Sequence, residues 1–177
     1  LIRSKYDCII STSKSINKDN SLLNCRIEGL DNNKPDLLII DRNLKLKKKL
    51  KLFDIFKKRK IYLLTTSNNK MKISFLKKKN IKIIKFNKLE DGNDFINLFK
   101  KMYSIGKRRL LVESGLVFLN KLFKFKLVNN LFLFKSDVLL KNNGFNNCKI
   151  NFIKNLKFKK KINVNLKGDQ LLKIRVN

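Results

Sequence analysis

The stretch Leu111-Val112-Glu113-Ser114-Gly115 reads as a strand that turns straight into a helix. A glycine at such a turn lets a ligand approach the backbone, and the free N–H groups of a helix's first turn attract an anion. Glu113, at the strand end, is placed to accept hydrogen bonds from a ligand. The same residues also suit a plain capped helix start with Ser114 as N-cap. A second polar concentration, Ser15 to Arg26 (SINKDNSLLNCR), follows the first apolar run as a loop. There Asp19 suits sugar hydroxyls and Arg26 a phosphate, although Asp and Asn also make ordinary turns. Third, Asp41-Arg42 closes a buried apolar run; an Arg in that place fits an additional phosphate on a dinucleotide, or is a solvated loop residue. The fingerprint GxGxxG is absent, which argues against a true Rossmann site. The chain also has no histidine, so Ser-His-Asp and Cys-His triads, His-ligated zinc and imidazole acid-base chemistry are excluded at once.

These residues need elements to hold them. Short apolar runs at Tyr6 to Thr12, Leu37 to Asp41, Ile61 to Thr66, Ile81 to Phe86 and Leu110 to Glu113 read as strands. Between Asn93 and Ile105, the spacing of Phe95, Leu98, Phe99, Met102 and Tyr103 is helical, and Gly106 follows as a C′ glycine. A second helical pattern carries Leu119, Leu122 and Phe123, and Leu131 to Phe134 reads as a further strand. Strands near Lys161 to Leu166 and Leu171 to Val176, separated by Lys167-Gly168-Asp169, suggest a closing hairpin. Continuous apolar strands alternating with helices indicate an α/β sheet, mostly parallel in its centre and antiparallel at one end. No linker composition or repeat interrupts it, so one domain over residues 1–177 is expected. Because the sequence opens on Leu1, that domain is expected to be N-terminally incomplete.

Composition narrows the functional classes. The 177 residues carry 43 Lys+Arg against 13 Asp+Glu, a formal charge of +30, yet 43% are hydrophobic, too many for a disordered basic tail. Lys outnumbers Arg 36 to 7 and Ala is missing altogether, as codons rich in A and T would produce. A skewed genome thus explains the charge, and Lys is the poorer residue for bidentate phosphate contacts. Nucleic acid is therefore expected only as a non-specific electrostatic partner. No apolar run approaches the roughly 18 residues of a membrane span. Cys8, Cys25 and Cys148 are odd in number and form no CxxC, which fits a reducing, cytoplasmic setting with neither disulfide scaffold nor metal site.

Together, the segments resemble a known family. The opening IRSKYDCIISTSKSINKDNSLLNCR is similar to the pattern LRxxxDAIxxGxxTxxxDNPxLxxR of the reductase half of the bifunctional riboflavin-biosynthesis deaminase/reductase. Arg3, Asp7, Ser15, Asp19, Asn20, Leu23 and Arg26 fall in register with it. KPDLLIIDRNLKL, RRLLVESGLVFLNKLFKFKLVNNLFLF and LKGDQLLKIRV resemble three later segments in unbroken order, so the likeness spans essentially the whole chain. Ser21 replaces the family's loop proline, Ser114 its second turn glycine or alanine, and Asn129-Asn130 an Asp-Glu pair. The resemblance implies a dihydrofolate-reductase-like α/β fold, without the family's first strand and deaminase half in the sequence given. It further implies NADPH-dependent reduction of 5-amino-6-(5-phosphoribosylamino)uracil to its ribitylamino form, carried out by a homodimer. By position, Arg3, Leu23, Arg26 and Glu113 would hold the phosphoribosylamino-pyrimidine substrate. Ser15, Asp19, Arg42 and the run Gly115, Leu116, Val117, Phe118, Leu119, Asn120 and Lys121 would hold NADPH, and no single catalytic residue is assigned. A basic ribosomal-type nucleic-acid binder and an inactive reductase homologue are the rival readings.

Overall fold

The structure, a computed structural model, describes residues 2–25, 35–54, 59–136, 138, 156–158, 160–164, 166 and 168–176. The chain divides into two compact units, Leu1–Gly115 and Leu116–Asn177.

In the first unit, five parallel strands form one sheet: β1 (Cys8–Thr12), β2 (Asp36–Ile40), β3 (Ile61–Thr65), β4 (Ile81–Lys85) and β5 (Leu110–Val112). Their order is β4-β3-β2-β1-β5. β2 and β3 are buried throughout, which is why their sequences are near-continuous Leu and Ile rather than alternating. β4 closes one side of the sheet, and there Lys82 and Lys85 are exposed, discouraging pairing with a further strand. One face of the sheet presents Ile9, Leu37, Ile39, Ile61 and Leu63 to Ile16, Leu23, Leu44, Leu52, Phe53 and Leu76, a single apolar core. The alternate residues Ile10, Leu38, Ile40 and Leu64 are buried on the opposite face.

Three helices belong to this unit: α1 (Ser13–Asp19), α2 (Lys70–Lys78) and α3 (Gly92–Ser104). α3 carries a stripe of buried Phe95, Leu98 and Met102. Asp91 and Asp94 close a capping box at its start. At its end Gly106, at φ 83°, completes a Schellman turn, with the Lys107 N–H on Met102 O at 3.0 Å and the Gly106 N–H on Tyr103 O at 2.9 Å. Two findings depart from the sequence reading. The polar stretch after β1 begins as helix rather than loop: the Thr12 side chain accepts from the Ser15 N–H at 3.2 Å, and Ile16 faces the core. α2 is the other addition, capped by Asn69, whose Oδ1 accepts from the Lys72 N–H at 3.0 Å.

The second unit holds α4 (Leu116–Lys124) and a three-stranded antiparallel sheet of β6 (Asn130–Lys135), β7 (Lys160–Ile162) and β8 (Gln170–Arg175), in the order β6-β8-β7. The expected hairpin exists as β7 and β8, with Ile162 opposite Leu171, although β7 ends at Ile162 rather than Leu166. The antiparallel strands are hydrogen-bonded as a sheet of their own instead of an extension of the parallel one. Leu131 and Leu171 are buried in it, and Leu122 is buried on α4.

Candidate active site

Strand order fixes where a ligand crevice can form. The chain lays down β1, β2, β3 and β4 in one direction, then crosses through α3 to place β5 on the far side of β1. The strand order reverses there, and open α/β sheets bind ligands at the carboxyl ends of the strands at such a point. Thr12 ends β1 and Ser13 and Ser15 follow it; beyond β5 stand Glu113, Ser114 and Gly115. Thr12 Oγ1 and Ser15 Oγ are 3.0 Å apart, and a Cβ added at the exposed Gly115 would lie 4.0 Å from Ser15 Oγ. Two hydroxyls and an open stretch of backbone thus share this place.

Arg3 precedes β1 in a short 3-10 turn and reaches Glu113. Its Nε donates to Glu113 Oε1 at 2.8 Å and its Nη2 to Oε2 at 2.7 Å, a bidentate ion pair, while Nη1 donates to the Asn24 carbonyl at 2.8 Å. The hydrogen bonds that Arg3 donates to Glu113 hold its guanidinium pKa above its ordinary value, against the opposing effect of burial. Both side chains are about three-tenths exposed, so the pair is held in place yet remains accessible.

The segment after α1 is held against the sheet by a residue that no motif singles out. Arg59 sits in a run of basic residues, but it is buried, and its guanidinium donates to the carbonyls of Leu22, Leu23 (2.8 Å) and Pro35 (3.3 Å). Burial pulls its pKa down to about 10, so it is still cationic at neutral pH. Leu23 itself is buried with φ +49°, a left-handed conformation that costs a non-glycine residue about 1–2 kcal/mol and that the Arg59 contacts sustain. Asp41 does comparable work beyond β2. Its buried carboxylate accepts from Ser13 Oγ at 2.9 Å and from the N–H groups of Lys45 and Leu46, both at 2.8 Å, tying the start of α1 to the loop that carries Arg42.

Arg3 and Glu113 are therefore joined in one ion pair, Leu23 lies one residue from the carbonyl that Arg3 also holds, and Ser15 and Gly115 lie close to each other. Asp19 is exposed at the end of α1. Arg42 is exposed two strands from β5, beside a pocket of about 210 Å³ lined also by Asn43, Thr66, Asn87, Lys88 and Glu90. Arg26 lies outside the described residues. Leu116 to Lys121 form the first two turns of α4 in the second unit. Ser114 does not cap that helix: its hydroxyl turns to the Gly115 carbonyl at 3.5 Å, and the helix begins at Leu116. Two polar atoms near the ion pair, Ser11 Oγ and Asn24 Oδ1, are buried without a hydrogen-bond partner, a condition costing about 1–3 kcal/mol each. Neither belongs to a recognisable motif, which is why sequence reading passed over them. Among the described residues no cluster of three Cys, Asp or Glu could hold a metal ion, and no helix is long and apolar enough to cross a membrane.

The five-stranded parallel sheet with its switch at β1 and β5, together with the antiparallel three-stranded sheet, is the dihydrofolate-reductase-like α/β fold. The model of the RibD C-terminal domain family matches residues 1–159, and the chain belongs to that family. Solved structures agree on the fold. RibD of Acinetobacter baumannii matches with TM-score 0.72 at 16% identity, over 98% of this chain and 48% of that one. The diaminohydroxyphosphoribosylaminopyrimidine deaminase/5-amino-6-(5-phosphoribosylamino)uracil reductase of Thermotoga maritima matches with TM-score 0.70 at 19% identity, over 98% and 46%. The riboflavin biosynthesis reductase Rib7 of Saccharomyces cerevisiae matches with TM-score 0.72 at 21% identity, over 98% and 76%. The chain thus spans about half the length of the two bacterial proteins. No curated protein matches it in sequence.

Proposed function

We propose that residues 1–177 act as one reductase domain that reduces 5-amino-6-(5-phosphoribosylamino)uracil to the ribitylamino compound with NADPH, within a homodimer. The observation that carries this reading is the Arg3–Glu113 ion pair at the switch point of a RibD-family sheet, since family motif and crevice geometry converge on the same two residues. The residues present fit a dinucleotide. Thr12 and Ser15 offer hydroxyls beside the open backbone of Gly115, and Arg42 stands exposed beyond β2, where a guanidinium meets a phosphate bidentately. By the family likeness, Gly115 to Lys121 take the pyrophosphate and Asp19 a ribose hydroxyl.

When bound, the nicotinamide supplies the hydride. The sugar's opened C1=N bond accepts it at carbon and takes up one proton from water at nitrogen, giving CH2–NH. The chain's own part is positioning and charge placement, which suits a protein without histidine. Arg3 and Glu113 hold the substrate, Leu23 packs beside it, and the family motif adds Arg26.

Titrating NADPH into the protein at physiological salt, with NADH and inorganic polyphosphate in parallel, tests the reading. Saturable binding that prefers NADPH to both controls is expected. Equal binding of all three that fades together with salt would instead leave net charge as the cause, as for a nucleic-acid binder.

A further inference from the structure

Two guanidinium groups hold the segment after α1. Among the described residues, no main-chain hydrogen bond ties residues 21–25 to the sheet. Three successive carbonyls are taken by arginine instead: Leu22 and Leu23 by Arg59, and Asn24 by Arg3 at 2.8 Å. Successive carbonyls of an extended chain point in opposite directions, so one guanidinium could not collect two of them. Leu23 removes that alternation. At φ +49° a non-glycine residue is confined to the left-handed helical region, where neighbouring carbonyls point roughly the same way. The planar fork of Arg59 then fits both, one on each terminal nitrogen, and Nη1 also reaches the Pro35 carbonyl at 3.3 Å, just before β2.

The next carbonyl along, that of Asn24, is where Arg3 Nη1 rests while its Nε and Nη2 hold Glu113. Arg3 itself starts a 3-10 turn of 3 residues, none of them buried, so its own backbone does little to fix the head of a long side chain. Burial above all, and the Arg3 cation in smaller part, lower the Arg59 pKa to about 10, so the two guanidiniums are near enough to repel. The row of carbonyls between them offsets that repulsion. We propose that Arg59 is a positioning residue for the substrate site: by fixing the Leu22 and Leu23 carbonyls it presents the Asn24 carbonyl to Arg3, and so keeps the Arg3 guanidinium aligned on Glu113 before substrate arrives. The proposal rests on the reductase reading above, in which Arg3 and Glu113 hold the pyrimidine substrate. Arg59 is buried, so it acts through Arg3 rather than on the ligand.

Arg59→Lys keeps the buried cation near Asp36 but replaces a two-pronged donor with a single point of charge. In steady-state assays of the full chain, KM for the pyrimidine substrate should rise about tenfold, with kcat and the KM for NADPH changed by less than about twofold. Introduced into Arg3→Ala protein, the same change should raise the substrate KM by less than about twofold, because the group that it positions is gone. Equal increases in both backgrounds would show that Arg59 acts independently of Arg3 and would overturn the proposal. So would an unchanged substrate KM, or a rise in both KM values together, which is what a loosened fold produces; the reductase reading survives each of these results. Nitrogen-15 NMR of the ligand-free wild type tests the proposal without a variant or turnover. Slow rotation about the Cζ–Nη bonds, giving separate Nη signals for Arg3 and for Arg59, is expected. Fast rotation at Arg59 would overturn the proposal even if Arg59→Lys does not fold. Slow rotation at both arginines in a wild type that never turns over the pyrimidine substrate would bring down the reductase reading, and the proposal with it.

Discussion

The two ends of the parallel sheet treat their polar groups differently. At the amino ends of the strands, charges close on one another. Asp7 accepts from the N–H groups of Arg108 and Arg109, at 3.0 and 2.8 Å, and from the Arg109 guanidinium at 3.1 Å. Asp36 takes the Lys60 N–H at 2.9 Å and the Lys107 ammonium at 2.7 Å. Burial among these groups, with Asp36 alongside, pushes the Cys8 thiol up to about 12, which leaves it unreactive at neutral pH. At the carboxyl end of β5, by contrast, the Arg3–Glu113 pair is accessible and hydroxyls gather beside a bare glycine. A closed set of ion pairs holds the fold together at one end; at the other, a partly exposed pair stays open to solvent. Residue type alone would not separate the two ends, since each has an acid and an arginine near a strand terminus.

The largest effect should come from breaking the closed end. Asp36→Ala leaves Lys107, about one-fifth exposed, and the buried Arg59 cation without their acidic neighbour. Removing one partner of a buried pair costs about 3–5 kcal/mol. Urea unfolding should show that loss, while the fraction that remains folded should keep its NADPH affinity. A loss of cofactor affinity at unchanged stability would mean that the two ends are not separate in function.

Glu113→Gln should do the reverse. Its pair with Arg3 is partly exposed, so stability falls by about 1 kcal/mol or less. In steady-state assays with the pyrimidine substrate, kcat/KM should fall roughly 100-fold, the loss of one charged contact made to the reacting ligand. An RNA binder would scarcely notice this change, and equal activity in wild type and variant would remove Glu113 from the site.

Asp41 sits between the two behaviours, a satisfied carboxylate at the open end. Asp41→Asn presents an amide N–H2 to main-chain N–H groups that now donate to it, at a cost of about 1–2 kcal/mol. Because Asp41 ties α1 to the loop carrying Arg42, KM for NADPH should rise more than kcat falls. A proportional fall of both would make its role purely structural.

How much of this could be read beforehand follows from what each feature depends on. The strands were legible because burial on both faces demands continuous apolar runs such as Leu37 to Ile40. The end of α3 was legible because Gly106 occupies its left-handed C′ position. α2 was missed: it buries only Leu76 and is otherwise lysine-rich, so it leaves a weak periodic signal. α4 ends in a second Schellman turn whose left-handed residue is Lys126 at φ 55°, not a glycine, so the sequence shows no breaker there. In the site, Glu113 and Arg3 were visible through a motif. Arg59 and Asn24 were not, because their roles come from long-range approach of the segment after α1 to the start of β3, which spacing along the chain does not encode.

The smallest expected effect concerns Asp7 and carries a definite sign. Burial alone would raise its carboxyl pKa, but the hydrogen bonds from Arg109, main chain and side chain, and from the Arg108 N–H outweigh it and hold the pKa below the ordinary carboxylate value. The folded state therefore binds the proton less readily than the unfolded chain. Its contribution is fully present above the unfolded value, near about 4, and is lost as pH falls through the lower folded value. The Arg109 side chain is two-thirds exposed, so solvent screening keeps the effect of Asp7→Asn at neutral pH below about 1 kcal/mol. Melting temperature measured from neutral pH down to about 2.5 should fall less steeply in the variant below about pH 4, the two curves running parallel above it. Curves that stay parallel throughout would mean that Asp7 is protonated equally in both states. The amino end of the sheet would then be held by Asp36 alone, and the contrast between the two ends would rest on one carboxylate instead of two.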